Sequence, residues 1–71
     1  MLQFDIDKME DYMSAKEMSY QDLAAKSGVS LKTLSRLREA PENFTSKTVN
    51  RIANAFKANA TEFMIEGPKE E

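Results

Sequence analysis

One segment of the chain, residues 19–40, carries capping and turn residues at a spacing that leaves little choice of fold. Its sequence is SYQDLAAKSGVSLKTLSRLREA. Ser19 and Asp22 stand three residues apart, which is the spacing of a capping box at the start of a helix. Gly28 suits the left-handed conformation just past a helix end, and Ser30 can cap the helix that follows. The segment therefore predicts two helices joined by a tight turn.

The other residues of this segment fit two helices that cross steeply. The side chain at such a crossing must be small, which Ala24 satisfies, and Pro41 ends the second helix because it has no amide hydrogen to donate. The outer face of the second helix, with Lys32 and Arg36, is polar and basic. We interpret residues 19–39 as a helix-turn-helix, the element that sets its second helix into the major groove of DNA. The apolar residues predicted to anchor the pair are Leu23, Val29, Leu34 and Leu37.

Capping signals divide the rest of the chain in the same way. Asp5 or Asp7 begins a first helix, Thr45 begins a fourth, and Asn59 begins a brief fifth. The predicted fold class is therefore all-α, with five helices in a single domain over residues 1–66. The predicted core consists of Met9, Met13, Leu23, Ala24, Val29, Leu34, Leu37, Val49, Ile52, Phe56 and Phe63.

The two ends of the chain fall outside this helical pattern. Leu2, Phe4 and Ile6 alternate with polar residues, as in a strand, but the run is too short to form a sheet alone, so we expect it to pair with a second chain. Gly67 precedes a proline and ends the fifth helix, and residues 67–71 are predicted to be a frayed tail.

The residue types that are missing exclude several classes of function. The chain has neither cysteine nor histidine, so it offers no disulfide, no thiolate ligand and no imidazole base. It also lacks a Gly-rich phosphate loop and the HExxH and GxSxG patterns, so we expect no enzyme, no catalytic residue, no cofactor and no metal site. No apolar run is long enough to span a bilayer, and the start lacks the features of a signal peptide, which predicts a cytoplasmic protein without a membrane partner.

Charge is distributed unevenly along the chain. The formal net charge is −2, which by itself disfavours binding to phosphate. Residues 23–57 nevertheless hold seven basic and two acidic side chains, a net of +5, while residues 1–22 carry a net of −4 and residues 58–71 a net of −3. Most of the helix-turn-helix therefore lies in the basic part of a chain that is acidic overall.

The segment resembles the helix-turn-helix of the phage Cro and repressor family, also called the XRE family, of small transcriptional regulators. The resemblance runs from KMEDYMSAKEMSYQDLA through GVSLKTLSRLREA to NFTSKTVNRIANAFKANATEFM. It implies a lambda-repressor-like DNA-binding domain of five helices. It also implies a homodimer that places two recognition helices in successive major grooves of double-stranded DNA, about 34 Å apart on a near-palindromic operator.

The same resemblance assigns roles to individual residues. Two departures stand out, because Tyr20 replaces a glutamine of several relatives and Lys57 stands where glycine is common after the fourth helix. The residues that would read base edges are Ser30, Leu31, Lys32 and Arg36. The residues that would bind phosphate are Tyr20, Thr33, Ser35, Asn43 and Lys47.

A second hypothesis keeps the fold and changes the partner. The acidic first helix and the five methionines are also compatible with a protein-binding modulator, antirepressor or antitoxin-like, that pairs with another repressor. Met residues at helical spacing are more often part of a core. The sequence therefore favours a sequence-specific DNA-binding regulator, with the protein-binding module as the alternative.

Overall fold

The computed structural model describes residues 2–66 and shows four α-helices closed by a small pair of strands. No helix within this part of the chain has the length and apolar character needed to cross a membrane. The predicted tail, residues 67–71, lies outside the described residues. The elements in chain order are β1 Leu2–Phe4, α1 Ile6–Ala15, α2 Tyr20–Ser27, α3 Leu31–Glu39, α4 Ser46–Phe56, a 3₁₀ helix Ala60–Phe63 and β2 Met64–Glu66.

The turn between α2 and α3 has the geometry that its sequence predicts. The Ser19 hydroxyl oxygen accepts a hydrogen bond from the Asp22 amide at 3.1 Å, and the Asp22 carboxylate accepts one from the Ser19 amide at 3.1 Å. Gly28 has φ of +78°, and its amide donates to the Ala24 carbonyl at 2.9 Å. The predicted capping box and left-handed glycine cap are both confirmed.

The other helices begin at polar residues that satisfy their first amides. Asp5 caps α1 by accepting from the Lys8 amide at 3.0 Å, which decides between the two aspartates that the sequence offered. Ser30 caps α3, accepting from the Thr33 amide at 3.1 Å. Thr45 caps α4 by accepting from an amide in its first turn, as predicted.

The prediction of a fifth α-helix is wrong. Residues Ala60–Phe63 form a single 3₁₀ turn, and the chain is extended from Met64 onward. The Asp5 amide donates to the Phe63 carbonyl at 2.6 Å. This hydrogen bond places the residues after Phe63 beside the N-terminal strand. Residues 2–66 are therefore mostly helical, with four α-helices and one strand pair, and do not form a purely helical bundle of five.

The expectation that the N-terminal strand pairs with a second chain is also corrected. β1 pairs with β2 of the same chain in antiparallel register, with Phe4 opposite Met64. The Phe4 ring is 1% exposed and stacks on Phe63 with the ring centres 5.8 Å apart, so burial of these rings holds the two strands together. The Phe4 amide, on the outer edge of β1, donates to the Pro41 carbonyl at 2.8 Å.

The core lies between α1, α4 and the chain ends on one side and the helix-turn-helix on the other. Every predicted core residue is buried except Ala24, which is half-buried against the core. The predicted core did not include three buried residues, namely Phe4, Ala53 and Ala55. An aromatic cluster joins the ends of the chain to the helices and consists of Phe4, Tyr12, Phe56 and Phe63.

Candidate nucleic-acid interface

The outward face of α3 is set by the two leucines that the helix buries. Leu34 and Leu37 lie in the core, on one side of α3. At 3.6 residues per turn, the side chains of Lys32, Ser35 and Arg36 project from the opposite side, and all three are exposed. This face presents two cations and a hydroxyl to solvent, and Glu39 lies at its C-terminal end.

The N-terminal turn of α3 combines a cap with an exposed apolar side chain. The Ser30 hydroxyl donates to the Thr33 hydroxyl oxygen at 3.0 Å and also accepts from the Thr33 amide. Ser30 is exposed, while Thr33 is half-buried on the flank of the helix. Leu31 is 42% exposed although it is a large apolar residue. The first turn of α3 therefore offers both polar and apolar contacts to a partner.

The turn before α3 is held by α4. The Arg51 guanidinium donates from Nη1 to the Gly28 carbonyl at 3.3 Å. Thus a side chain of the fourth helix contacts the residue that joins α2 to α3. Sequence reasoning missed this contact, because no local pattern links Arg51 to a turn far away in the chain.

Tyr20, the first residue of α2, lies against α1 and α3. Its hydroxyl donates to Glu10 Oε2 at 2.7 Å, and the Arg38 guanidinium carbon lies 5.6 Å from the centre of its ring. Burial of the phenol and the hydrogen bond to Glu10 raise the pKa of Tyr20 to about 12, so the hydroxyl remains protonated at neutral pH. The predicted phosphate donor is thus already bonded within the chain.

The remaining predicted phosphate ligands lie around the start of α4. Lys47 is the second residue of that helix and is exposed, beside amides of the first turn that have no partner within the helix. Asn43 is exposed in the loop that leads to α4, and its backbone amide donates to the Ala40 carbonyl at 2.9 Å. Both side chains are accessible to an anion.

The cations of α3 differ in their surroundings. Within residues 2–66, Lys32 and Arg36 have no ion pair, so their full charge is available to an anionic ligand. Arg38 instead has its Nε 3.7 Å from Glu10 Oε2. No sequence pattern indicated this pairing, since Glu10 belongs to α1.

The methionines that suggested a protein-binding surface are mainly part of the core. Met9 and Met13 are buried, and Met18 and Met64 are half-buried and pack against the core. Within residues 2–66 no cluster of acidic side chains has the grouping needed to hold a metal ion. Exposed charged faces of residues 2–66 include the acidic side of α1 and the basic side of α3.

A capped α2, a left-handed glycine turn and an α3 with a buried apolar stripe and a basic outer face define the class of helix-turn-helix DNA-binding domains. The sequence model of the Cro/C1-type HTH DNA-binding domain matches residues 8–65, which is most of the chain. The protein therefore belongs to the Cro/C1-type helix-turn-helix family, and the predicted resemblance is confirmed. The chain has no significant match among curated proteins or solved structures.

Proposed function

We propose that this protein is a sequence-specific transcriptional regulator, a Cro-like repressor of phage or mobile-element type, that places α3 in the major groove of operator DNA. The observation that carries the proposal is the outward face of α3, where Lys32 and Arg36 are exposed and free of carboxylate partners within residues 2–66. A helix of this width fits the major groove, which is the only groove that distinguishes all four base pairs.

Base recognition is proposed for the first two turns of α3. Lys32 and Arg36 have donors suited to guanine O6 and N7, and Leu31 can contact the methyl group of thymine. The exposed Ser30 hydroxyl can donate to or accept from a base edge. These four side chains lie within about 1.7 turns of helix, from the cap of α3 to Arg36.

Phosphate binding is proposed for side chains that flank this face. The Thr33 hydroxyl lies 3.0 Å from that of Ser30 and carries a donor that can bind a phosphate oxygen. Ser35, Asn43 and Lys47 are exposed and carry donors. Tyr20 can join this set only if its hydroxyl leaves Glu10.

We further propose that the protein binds DNA as a homodimer whose contacts involve the strand pair. Leu2 and Ile65 are large apolar residues of β1 and β2 and are 48% and 39% exposed. Phe4, also expected at this contact, is buried and serves the core instead. Leu2 pairs with Glu66 and Ile65 pairs with Gln3, so the two apolar side chains lie on opposite faces of the strand pair. A second copy that covers Ile65, on the face turned away from Phe4, would remove apolar surface from water.

Selection of bound sites from random double-stranded DNA tests this function. The expected product is a palindromic consensus whose half-sites are about one helical turn apart. Affinity for the selected site should fall steeply with salt, because phosphate contacts release counterions. If no sequence is enriched and the salt dependence is flat, DNA binding is refuted. A stable one-to-one complex with another repressor would then establish the protein-binding alternative.

A further inference from the structure

Three side chains from three helices meet beside the recognition helix. Glu10 Oε2 on α1 accepts the hydrogen bond of the Tyr20 hydroxyl at 2.7 Å and lies 3.7 Å from Arg38 Nε. The same guanidinium lies over the Tyr20 ring. One carboxylate oxygen is therefore held between a phenol of α2 and a guanidinium of α3.

Arg38 has a position on α3 that makes this contact relevant to DNA. Leu31, Ser35 and Arg38 stand four and three residues apart, so they line one flank of the helix. Leu31 is a proposed base contact and Ser35 a proposed phosphate contact. The Arg38 side chain is 61% exposed, so it is accessible at the edge of the proposed interface.

A phenol and a guanidinium together form a suitable site for a phosphate oxygen, and here a carboxylate occupies it. We propose that Glu10 competes with the DNA backbone for Arg38 and thereby limits the affinity of the protein for DNA. This inference rests on the proposed function. Because Tyr20 holds the Glu10 carboxylate in place, a phosphate that binds Arg38 must approach a fixed negative charge as well as replace a partner.

The contact has the properties that such a competition requires. Both charged groups are partly exposed, with the Glu10 side chain 43% accessible, and the separation exceeds that of a close charge-assisted hydrogen bond. The pair is therefore open to replacement by a phosphate in an approaching duplex. Removal of the Glu10 charge should add Arg38 to the phosphate-binding residues.

The test compares Glu10→Gln with Asp11→Asn in the full chain. Each substitution removes one negative charge from α1, but Asp11 is exposed and has no ion pair or hydrogen bond within residues 2–66. The glutamine side chain in Glu10→Gln retains an oxygen that can accept from Tyr20, so only the charge facing Arg38 is lost. The measurement is fluorescence anisotropy of a labelled duplex of mixed sequence, titrated over a range of salt, with thermal unfolding as a check on folding.

We expect Glu10→Gln to tighten DNA binding several-fold and to steepen the slope of log affinity against log salt by about 0.9, the effect of one added phosphate contact. Asp11→Asn should leave the slope unchanged. In the wild-type background Arg38→Ala should also leave the slope unchanged, whereas in the Glu10→Gln background it should remove the gain.

Each alternative result has a separate meaning. Equal slopes for Glu10→Gln and Asp11→Asn, or a gain that persists without Arg38, would overturn the competition while leaving DNA binding intact. A flat salt dependence in the wild type with no gain in any variant would refute both this inference and the proposed function. A flat wild type with a steep Glu10→Gln variant would also overturn this inference, because release of Arg38 adds only one phosphate contact.

Discussion

The Arg51 side chain of α4 donates a hydrogen bond to the carbonyl oxygen of Gly28, the left-handed residue between α2 and α3. Two features therefore stabilise the turn. One is the left-handed backbone conformation of Gly28, and the other is the hydrogen bond from α4. A Cβ added at Gly28 would lie 4.0 Å from Arg51 Nη1, which is ordinary contact. The need for glycine at this turn is thus conformational and not steric.

Replacement of Gly28 by alanine should destabilise the protein by about 1 kcal/mol, because an L residue at positive φ is strained. For a domain of this size, this corresponds to a fall in Tm of about 4–8 °C. Thermal unfolding followed by circular dichroism measures the change. An unchanged Tm would show that the turn relaxes to another conformation.

Lys57 provides the reverse experiment, since it ends α4 with φ of +57° and is not glycine. Lys57→Gly should stabilise the protein by up to about 1 kcal/mol, because it removes the strain of a left-handed L residue. Lys57→Gln is the matched control, since it removes the charge and retains the strain. Denaturant unfolding should show a gain for glycine alone, and an equal gain for glutamine would assign the effect to charge.

Alanine substitutions at Leu34 and Leu31 of α3 should affect different properties, the first stability and the second DNA binding. Leu34 is fully buried, so Leu34→Ala should cost about 2–5 kcal/mol, a large share of the stability of a small domain. Leu31 is 42% exposed, so Leu31→Ala should leave the unfolding midpoint nearly unchanged and weaken binding to the selected DNA site. Urea unfolding and DNA titration of both variants measure this. Unchanged binding of Leu31→Ala to the selected DNA site would contradict the proposed contact.

Arg36 and Lys47 should differ in how they affect sequence preference. Arg36→Ala should weaken binding to the preferred site by about 1–3 kcal/mol, and it should relax the sequence preference at one base pair, as expected of a base contact. Lys47→Ala should weaken all sequences about equally and reduce the salt slope by about one. Competition binding with single-base variants of the site measures both. Uniform weakening in Arg36→Ala would reassign that residue to phosphate binding.

The hydrogen bond from the Tyr12 hydroxyl to Glu62 Oε1, 2.7 Å long, should make stability depend on pH at both extremes. It lowers the pKa of Glu62 below the usual 4.5 and raises the pKa of Tyr12 above the usual 10.0. The hydrogen bond therefore contributes fully to the free energy of unfolding from above the usual carboxyl pKa to below the usual phenol pKa. This contribution is lost as pH falls through the lowered pKa of Glu62, and it is lost as pH rises through the raised pKa of Tyr12.

The matching experiment measures unfolding of the wild type and of Tyr12→Phe across pH. A phenylalanine ring can keep the stacked contact with Phe56 and the tilted contact with Phe63, so the difference between the two proteins reports the hydrogen bond. That difference should be constant in the middle range and shrink at acid and alkaline pH. In the Glu62→Gln background the acid-side decline should disappear, and its persistence would point to another carboxyl group.

The helix-turn-helix could be predicted from the sequence because its determinants are local. The bonds between Ser19 and Asp22, and the cap at Ser30, join residues three apart, so their spacing can be seen directly in the chain. The same holds for the leucine stripe of α3. The fifth helix was predicted wrongly because its capping signal was followed by too few residues before the chain became extended.

The sequence by itself determined where α2 and α3 begin and end and where α4 begins, and it placed Lys32 and Arg36 opposite the buried side of α3. These features depend on hydrogen bonds and periodicity within single helices. Only the tertiary structure decided that Phe4 pairs opposite Met64, that Arg51 holds Gly28, and that Glu10 faces Arg38. Those contacts join residues distant in the chain, and packing of the whole core, not any short pattern, brings them within reach.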